Sequence, residues 1–395
     1  MAQKNTKIAF VIGANFPTEK AYGVTSRETV NQLLKKEIKT RIFCMPGKYM
    51  DSDYKNIIES VTFLTQNQFS EKLIRIGLRK TARYNHICWR LGIGITVFKN
   101  LRNVFNFNPE FIWVRDPMIA YLCLRRNSSV KIILEVHDET GIFFYKKLFK
   151  YDSRIHFFPI NKANQNFLNS FNQDIKSHIA PMGIRIESLA SQKDCISFVD
   201  SLRQRNYRKI QIGYVGKIAP GGYSKGVKEL IEFAKYSQEK NLDFYVTLIG
   251  ANSIEFANLI KTRQNLEIHE KYLKIERHVS HSTALQLMRS FDILVLPEYS
   301  SAQYIGMPLK LLEYISTGKV TIVADTLLYR SLFLGTFHPN FYSPGNLKSL
   351  HESIDNSIRM HNLETHLMNG IKYASTYTWE HRTSEIIFNI QPRAN

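Results

Sequence analysis

The stretch from Ile305 to Asp325, IGMPLKLLEYISTGKVTIVAD, places a lysine and a carboxylate one helical turn apart. Its pattern predicts a helix that begins near Pro308, ends at Gly318 and leads into a buried β-branched strand. Lys310 and Glu313 then share one face of the first turn. A lysine beside the free N–H groups of a helix can bind a phosphate, and a carboxylate one turn on can accept both hydroxyls of a ribose. The pair fits a nucleoside diphosphate, although an exposed ion pair on an ordinary helix explains the same spacing.

The motif P-L-K-L-L-E-Y-x-x-x-G-K-x-x-x-x-A-D within this stretch resembles the donor-nucleotide signature of retaining glycosyltransferases of the GT-B fold, group 4 type. The resemblance implies that Lys310 contacts the donor diphosphate and Glu313 the ribose, with Pro308 and Leu309 at the start of the helix beside the donor. The family usually has a second glutamate, eight positions before the first, that faces the donor sugar. Here that position is Ile305.

Other segments of the second half follow the same family pattern. Gly216 and Lys217 come directly after a predicted strand, KIQIGYV, and Lys225 precedes the next helix after a glycine-containing loop. Such a loop lets the backbone approach an anion closely. By resemblance, the two lysines grip the diphosphate, Gly250 ends the following strand, and Val279 lies where the family's backbone pairs with the nucleobase.

The first half offers two candidate positions. Gly23 follows a predicted strand, KIAFVI, and its turn, and it opens a helix for which Thr25 or Ser26 is a plausible N-cap. His137 and Asp138 follow the strand KIILEV, at the edge where parallel sheets bind ligands. His137 could donate to a sugar hydroxyl, or the pair could merely cap a turn. The resemblance implies that the Gly23 loop faces the donor phosphates and the acceptor, and that His137 lines the donor-sugar pocket.

The net charge of +19 is concentrated in the first half. Residues 1–185 contain 29 basic and 14 acidic side chains, a balance of +15, whereas the remainder contains 24 and 20, a balance of +4. The first half should therefore meet an anionic partner. We expect no nucleic acid, because no recognisable binding module is present and the aromatic residues are not interleaved with the basic ones.

Within residues 71–104, basic side chains recur at spacings of three and four, which predicts one basic face on a single helix. These residues are Lys72, Arg75, Arg79, Arg83, His86 and Arg90. Such a helix can lie on an anionic membrane surface, or it can be a solvated helix whose apolar side packs on the sheet. The segment from Phe143 to Lys150, aromatic and basic together, suggests a second contact with a membrane or a lipid-linked acceptor, though packing in the core explains it equally well.

The length of 395 residues predicts two domains. We expect an α/β protein of two doubly wound, Rossmann-like domains that face a cleft, as in GT-B. Residues 1–190 form the basic acceptor-binding domain, which is the candidate for membrane association, and residues 205–375 form the nucleotide-sugar donor domain. Residues 376–395 form a helix that crosses back to the first domain. The stretch between Gly183 and Lys209 lacks a regular pattern, and we expect the link between the domains there.

The expected function is retaining transfer of a sugar from a nucleoside-diphosphate sugar to a glycan or lipid-linked acceptor, in the assembly of capsule, lipopolysaccharide or exopolysaccharide. We expect no metal or further cofactor, and we expect His278 and His281 on the surface because no metal-ligand set surrounds them. The four scattered cysteines and the lack of a long apolar run indicate a cytoplasmic protein, peripheral at the inner face of the membrane. The alternatives are a non-catalytic GT-B protein that binds nucleotide or glycan, and another GT-B enzyme such as a nucleotide-sugar epimerase.

Overall fold

The computed structural model describes residues 6–18, 20–47, 52–77, 85–137, 139–204, 209–219, 226–297, 309–333 and 337–391. These residues form two compact units. The first unit contains the described residues up to Gly183 and those from Trp379 onward, and the second contains the described residues from Ile184 to Thr378.

The first unit is built on a parallel sheet of six strands in the order β3-β2-β1-β4-β5-β6. The strands are β1 (Lys7–Phe16), β2 (Lys39–Pro46), β3 (Val61–Phe63), β4 (Phe111–Val114), β5 (Lys131–Val136) and β6 (Ile155–Pro159). The helices are α1 (Ala21–Lys35), α2 (Gln68–Gly77), α3 (Asn85–Asn106), α4 (Pro117–Arg126), α5 (Ile142–Leu148), α6 (Lys162–Asn169) and, from the end of the chain, α15 (Trp379–Ile390). Two short 3-10 helices span Ser52–Ser60 and Phe149–Arg154.

Both faces of this sheet are covered, as the continuous apolar strands require. Alternate residues of β1 point to opposite faces. Phe10 packs in a cluster that includes Ile386 and Ile387 of α15, whereas Val11 packs in the opposite cluster with Val97 of α3 and Ile119 of α4. The last helix of the chain therefore belongs to the core of the first unit.

The second unit repeats the plan, with six parallel strands in the order β12-β11-β10-β7-β8-β9. The strands are β7 (Ile210–Val215), β8 (Phe244–Ala251), β9 (Leu273–Arg277), β10 (Ile293–Leu296), β11 (Val320–Ala324) and β12 (Asn340–Tyr342). The helices are α7 (Gln192–Arg203), α8 (Val227–Glu239), α9 (Ser253–Asn265), α10 (His281–Met288), α11 (Leu309–Ser316), α12 (Leu327–Leu332), α13 (Leu347–Ile358) and α14 (Leu363–Ser375), preceded by a 3-10 turn at Ile186–Ser188. In both units the strand order reverses between the first and fourth strands, and ligands of such sheets bind outside the strand ends at that point.

The basic stripe was predicted to lie on a single helix, and this prediction was wrong. The segment forms α2 and α3, which pack closely, since a Cβ at Gly92 of α3 would contact Ile74 of α2. Arg75 pairs with Glu71 in solvent, and Arg90 pairs with Asp116 in a partly buried position. The positions of Arg79 and Arg83 lie outside the described residues, and so does the side chain of His86.

Two boundary predictions were wrong for local reasons. β1 continues through the expected turn to Phe16, because the irregularity between Ile12 and Asn15 is a register shift within the strand rather than its end. Gly23 lies inside the first turn of α1, and Lys20 is the N-cap residue. The hydroxyls predicted as caps instead donate back to the carbonyl of Tyr22, at 3.1 Å from Thr25 and 2.7 Å from Ser26.

The expected irregular link contains helix α7. Its N-terminus is a capping box, in which Ser191 and Asp194 satisfy each other's backbone N–H groups. Its apolar residues, spaced three and four apart, are buried: Cys195, Phe198, Val199 and Leu202. The polar run that suggested a loop is therefore the cap of an amphipathic helix. The division between the two units falls earlier, between Gly183 and Ile184.

Candidate functional site

The strand order of the second unit reverses between β7 and β10, and Lys310 lies at the carboxyl end of β7. Lys310 is the second residue of α11, and its Nζ donates to the hydroxyl of Tyr214 at 2.7 Å and lies 4.5 Å from the centre of that ring. Tyr214 is fully buried in β7, and its hydroxyl donates to the carbonyl of Lys217 at 2.8 Å. A rigid aromatic side chain thus fixes the position of the lysine ammonium group.

Two glycines form the edge beside this lysine. Gly216, directly after β7, has a φ of +147°, and a Cβ there would collide with the side chain of Lys310. Gly250, near the end of β8, has a φ of +123°, and a Cβ there would collide with the carbonyl of Gly216. Larger residues rarely adopt such φ angles. The two positions therefore require glycine, both for the backbone conformation and for the space that Lys310 occupies.

Glu313, one turn further along α11, is held by a histidine that we expected on the surface. The Nε2 of His281, the first residue of α10, lies 2.7 Å from Oε1 of Glu313, and 8% of the glutamate side chain is exposed. The exposed His278 donates its backbone N–H to the carbonyl of Ala251. Val279 therefore lies between two residues that hydrogen bonds hold in place, His278 and His281. The prediction for His281 was wrong, because the sequence distance between the two residues concealed their contact.

Helix α11 is fixed to the end of β7 by Tyr314. The buried hydroxyl of Tyr314 accepts from the backbone N–H of Val215 at 2.8 Å and donates to the carbonyl of the same residue at 3.1 Å. Burial raises the pKa of this hydroxyl, so it stays protonated and keeps both bonds. The consequence is that Lys310 and Glu313, on the same helix, hold a fixed position relative to Gly216.

In the first unit, a buried carboxylate organises the candidate residues. Glu135 of β5 is fully buried and accepts from the indole N–H of Trp113 at 2.7 Å. Its Oε2 lies 2.7 Å from Nε2 of His137 and 3.1 Å from Nε of Arg115, and its Oε1 lies 3.1 Å from Nη2 of Arg382 on α15. The side chain of Arg382 is 2% exposed, whereas that of His137 is 25% exposed. His137 and Arg115, whose side chains are 25% and 19% exposed, therefore combine the carboxylate contact with access to a ligand, whereas Arg382 does not.

Arg115 connects this carboxylate to the Gly23 region. Its Nη1 donates to Oγ1 of Thr25 at 2.6 Å and to the carbonyl of Tyr22 at 3.3 Å. A Cβ on Gly23 would collide with the backbone of Thr18, so the turn before α1 is tightly closed. Arg115 thus links the first turn of α1, which contains Gly23, to Glu135, the partner of His137. Arg115 follows β4 at the point where the strand order of this sheet reverses.

The charges of this group shift one another's ionisation. Burial alone would raise the pKa of Glu135, but Arg115, Arg382 and the hydrogen bond from His137 together hold it well below its usual value. Burial, and next the charge of Arg115, lowers the pKa of His137, although Glu135 opposes this. Near neutral pH the group therefore contains an ionised carboxylate and a neutral imidazole.

Residues 203–372, which form most of the second unit, match the family model described as Glycosyl transferases group 1. The second unit is therefore similar in sequence to the group 1 glycosyltransferases. No curated protein matches the sequence. The family match covers Lys310, Glu313, Gly216 and Gly250, so the glycosyltransferase model spans the very residues that the fold brings to one edge of its sheet.

Solved glycosyltransferase structures share the fold of the whole chain. HepE (Alr3699) of Anabaena, in complex with UDP-glucose, superposes with a TM-score of 0.66 at 14% identity, over 97% of this chain and 99% of that one. A sucrose-phosphate synthase of Thermosynechococcus elongatus gives 0.66 at 11% identity, over 97% and 98%. A glycosyltransferase of Rickettsia africae gives 0.66 at 13%, over 97% of both chains. The predicted GT-B fold, with two Rossmann-like domains, and the predicted enzyme class are confirmed.

Several predicted site residues of this glycosyltransferase can be placed and others cannot. Lys310, Glu313 and Leu309 lie on α11, and Lys217 is exposed directly after Gly216. Lys225, Pro308 and Ile305 lie outside the described residues, so their roles stay predictions. The partners that orient these candidates were not predicted from the sequence; they are Tyr214, His281, Glu135 and Arg382. Among the described residues, no group of three or more histidine, cysteine or acidic side chains could hold a metal ion.

Proposed function

We propose that this glycosyltransferase moves a sugar, with retention of configuration, from a nucleoside-diphosphate sugar to a glycan or lipid-linked acceptor during assembly of a cell-envelope polysaccharide. One observation carries the proposal. The ammonium group of Lys310 is held by Tyr214 over Gly216, at the strand end where nucleotides bind to such sheets. The UDP-glucose bound by HepE of Anabaena supports a uridine diphosphate sugar as the first donor to test.

The chemistry follows from where charge develops. When the bond between the anomeric carbon and the phosphate oxygen breaks, negative charge grows on the leaving diphosphate. A preorganised cation stabilises that charge without having to reorganise during the reaction. We propose that Lys310 and Lys217 supply this stabilisation, that Lys225 joins them, and that no metal is required. Transfer that continues undiminished in excess chelator supports this view, and transfer restored only by added Mg²⁺ or Mn²⁺ contradicts it.

The exposed surface of the first unit supports a membrane-linked acceptor. Three apolar side chains on one face of α3 are exposed, namely Ile87, Leu91 and Phe98, and α5 adds Ile142 and Phe143. The two helices are neighbours, because a Cβ at Gly141 would contact Arg90 of α3. Lys147 lies 4.2 Å from the ring centre of Phe143. Apolar side chains beside lysines suit the interface of an anionic bilayer. Among the described residues, no helix is long and apolar enough to cross a membrane.

Liposome co-sedimentation tests the membrane part. We expect binding to vesicles of phosphatidylcholine with phosphatidylglycerol, weaker binding to phosphatidylcholine alone, and loss of binding in a Leu91→Ser/Phe143→Ser double variant. Ile254→Ser is the matched control, because Ile254 is equally apolar and exposed but lies in the second unit. Binding that ignores lipid charge, or that the control reduces as much, contradicts the membrane proposal and favours a soluble acceptor.

A thermal-shift experiment with UDP, GDP and ADP tests the donor site. A ligand that binds only the folded state raises the melting temperature. We expect one diphosphate to stabilise the wild type and not Lys310→Ala. Lys348→Ala is the matched control, because this exposed lysine lies in the same unit and pairs only loosely with Glu352, at 3.8 Å. No stabilisation by any of the three would favour a non-catalytic scaffold.

A further inference from the structure

The buried carboxylate of Glu135 controls which nitrogen of His137 carries the proton. Glu135 forms ion pairs with Arg115 and Arg382 and accepts a hydrogen bond from the indole N–H of Trp113. It also contacts His137. Three of these four neighbours can only donate. They leave the carboxylate ionised, and an ionised carboxylate can only accept. The Nε2 of His137, 2.7 Å from Oε2 of Glu135, must therefore be the protonated nitrogen.

The other ring nitrogen then has a defined role. In a neutral imidazole one nitrogen donates and the other accepts, and the hydrogen bond of the first fixes the character of the second. With the proton on Nε2, Nδ1 carries the lone pair. Burial and the neighbouring arginine lower the pKa of His137, so the ring is neutral at pH 7 and the lone pair persists. We had expected His137 to donate to a sugar hydroxyl, and the geometry gives it the opposite polarity.

We propose that Glu135, held by Arg115 and by Arg382 of the last helix, is a positioning residue that makes His137 a hydrogen-bond acceptor. The ligand group that meets Nδ1 is then a donor, such as a hydroxyl or an amine of a sugar, and not a carboxylate or a phosphate. This inference rests on the proposed glycosyl transfer for the identity of the ligand, whereas the tautomer itself follows from the contacts around Glu135.

Arg382 gives helix α15 a part in this arrangement. Its guanidinium is almost fully buried and lies on the side of the carboxylate opposite His137, next to the bond from Trp113. Arg115 pairs with the same carboxylate oxygen as His137. The carboxylate is therefore held from both sides, and its oxygens cannot rotate away from the imidazole without breaking an ion pair. A residue near the end of the chain thus contributes to the orientation of a side chain near the middle.

Nitrogen NMR of the full-length protein with ring-labelled histidine tests the inference without any substrate. The protonated and unprotonated nitrogens of a neutral imidazole give well-separated signals, and the His137→Gln variant identifies which signals belong to His137. We expect proton-bearing Nε2 and bare Nδ1 in the wild type. In Glu135→Gln the amide oxygen is expected to accept from Trp113 and Arg382, so that the amide N–H₂ faces His137 and the signals exchange.

Two further variants keep the test decisive even if Glu135→Gln folds poorly. Arg382→Gln retains Glu135, so the tautomer should persist while the pKa of His137 rises, because one cation near the ring is lost. Glu229→Gln alters another buried carboxylate, which bonds to Tyr342 in the second unit, and should leave the His137 signals unchanged. A proton on Nδ1 in the wild type, or exchange of the His137 nitrogen signals in Arg382→Gln, overturns the inference. Absence of sugar transfer with any donor would overturn the proposed function but leave this result standing.

Discussion

The two units place their charged side chains in opposite ways. In the second unit, the predicted cations of the donor site stand at the edge of the sheet, where Lys217 is exposed and Lys310 is held by a neutral tyrosine hydroxyl. In the first unit, two arginines converge on one fully buried glutamate, so part of the positive charge is neutralised within the unit. The predicted donor site thus presents its lysines at the edge of a sheet, whereas the Glu135 group holds a neutral histidine within the unit.

This difference predicts different consequences of mutation. A surface or half-buried lysine can be removed without leaving a buried charge unpaired, so the main loss should be in binding and turnover. Removal of a carboxylate between two buried arginines leaves two unpaired cations in a medium that solvates them poorly. The donor site should therefore tolerate mutation structurally and fail functionally, and the Glu135 group should first lose stability.

The largest expected effect is that of Glu135→Ala on the stability of the first unit. Breaking a buried ion pair by removing one partner typically costs ~3–5 kcal/mol. All three tryptophans, Trp89, Trp113 and Trp379, belong to the first unit, so tryptophan fluorescence during urea unfolding reports that unit alone. We expect the fluorescence midpoint to fall to a much lower urea concentration.

The double replacement Glu135→Leu/Arg382→Met sharpens this result. It removes both a charge and one of its partners, and it should recover part of the stability that Glu135→Ala loses, because fewer buried charges are left unpaired. If Glu135→Ala unfolds at the same urea concentration as the wild type, the ion pairs of this group contribute little and the contrast between the units disappears.

The second effect is that of Lys310→Ala on sugar transfer. Loss of one preorganised group that stabilises developing charge costs ~2.7–4 kcal/mol, which corresponds to a ~10²- to 10³-fold lower kcat/KM. The urea midpoint should change little, since Lys310 lies at the edge of the sheet and donates to the hydroxyl of Tyr214. The measurement is steady-state transfer from the donor that the thermal-shift experiment selects.

Lys348→Ala, with the same loss of charge in the same unit, should retain wild-type kinetics. Turnover by Lys310→Ala near the wild-type rate would remove the lysine from the reaction. The proposed leaving-group stabilisation would then have to come from other groups.

The positions of the candidate donor-site residues could be predicted from the sequence better than the contacts of His137, for a physical reason. One helical turn contains both Lys310 and Glu313, and Gly216 directly follows a strand. In such short stretches, residue type and spacing are enough to predict which side chains lie close together. The contacts of Glu135 join β4, β5 and α15, whose separation along the chain hides them. Within the sequence LEVHD, Glu135 stands two residues before His137, so the two side chains share one face of a strand, and that alternation was the available signal.

The wrong boundaries in the fold have a different, local cause. Strands β7 and β11 of the second unit were predicted within one or two residues, because they are continuous apolar runs bounded by glycine or polar residues, whereas β9 and β12 were not predicted. Helix α7 was missed because its polar cap was taken for a linker, although its buried residues recur at helical spacing. Polar capping residues resemble a loop in the sequence, whereas the spacing of the apolar residues indicates a helix. For α7, the spacing of the apolar residues was the better predictor.

The third effect concerns His281, the partner of Glu313. The resemblance implies that Glu313 accepts the ribose hydroxyls. In that case His281→Ala removes the hydrogen bond between the imidazole and the Glu313 carboxylate, so that the carboxylate is no longer held in position. Such bonds contribute ~1.5–3 kcal/mol, so we expect roughly tenfold weaker binding of the nucleoside diphosphate by calorimetry. Binding of inorganic pyrophosphate, which has no ribose, should be unchanged. Equal weakening of both ligands would mean that His281 supports the whole site rather than the ribose contact.

The smallest effect is the pH dependence of stability, which again separates the units. Burial lowers the pKa of His137 and of His156 in the first unit below the ordinary value of 6.5. As the pH falls through 6.5, the unfolded chain binds protons that the folded unit does not, and folding stability decreases. In the second unit, His366 acts in the same sense, but burial raises the pKa of Glu229 above 4.5, so its protonation in the folded state acts in the opposite sense.

Between pH 7 and pH 5.5 we therefore expect the first unit to lose on the order of 1 kcal/mol, measured by tryptophan fluorescence in urea. His156→Phe should abolish about half of this loss, since it removes one of the two titrating rings while keeping an aromatic side chain beside Phe111. Glu135, whose pKa is depressed, adds its own loss only below its unfolded value near 4.5. If the stability of the first unit stays constant down to pH 5.5, both imidazole rings are solvated. His137 would then not be a neutral, buried imidazole, and its proposed role as a hydrogen-bond acceptor would be contradicted.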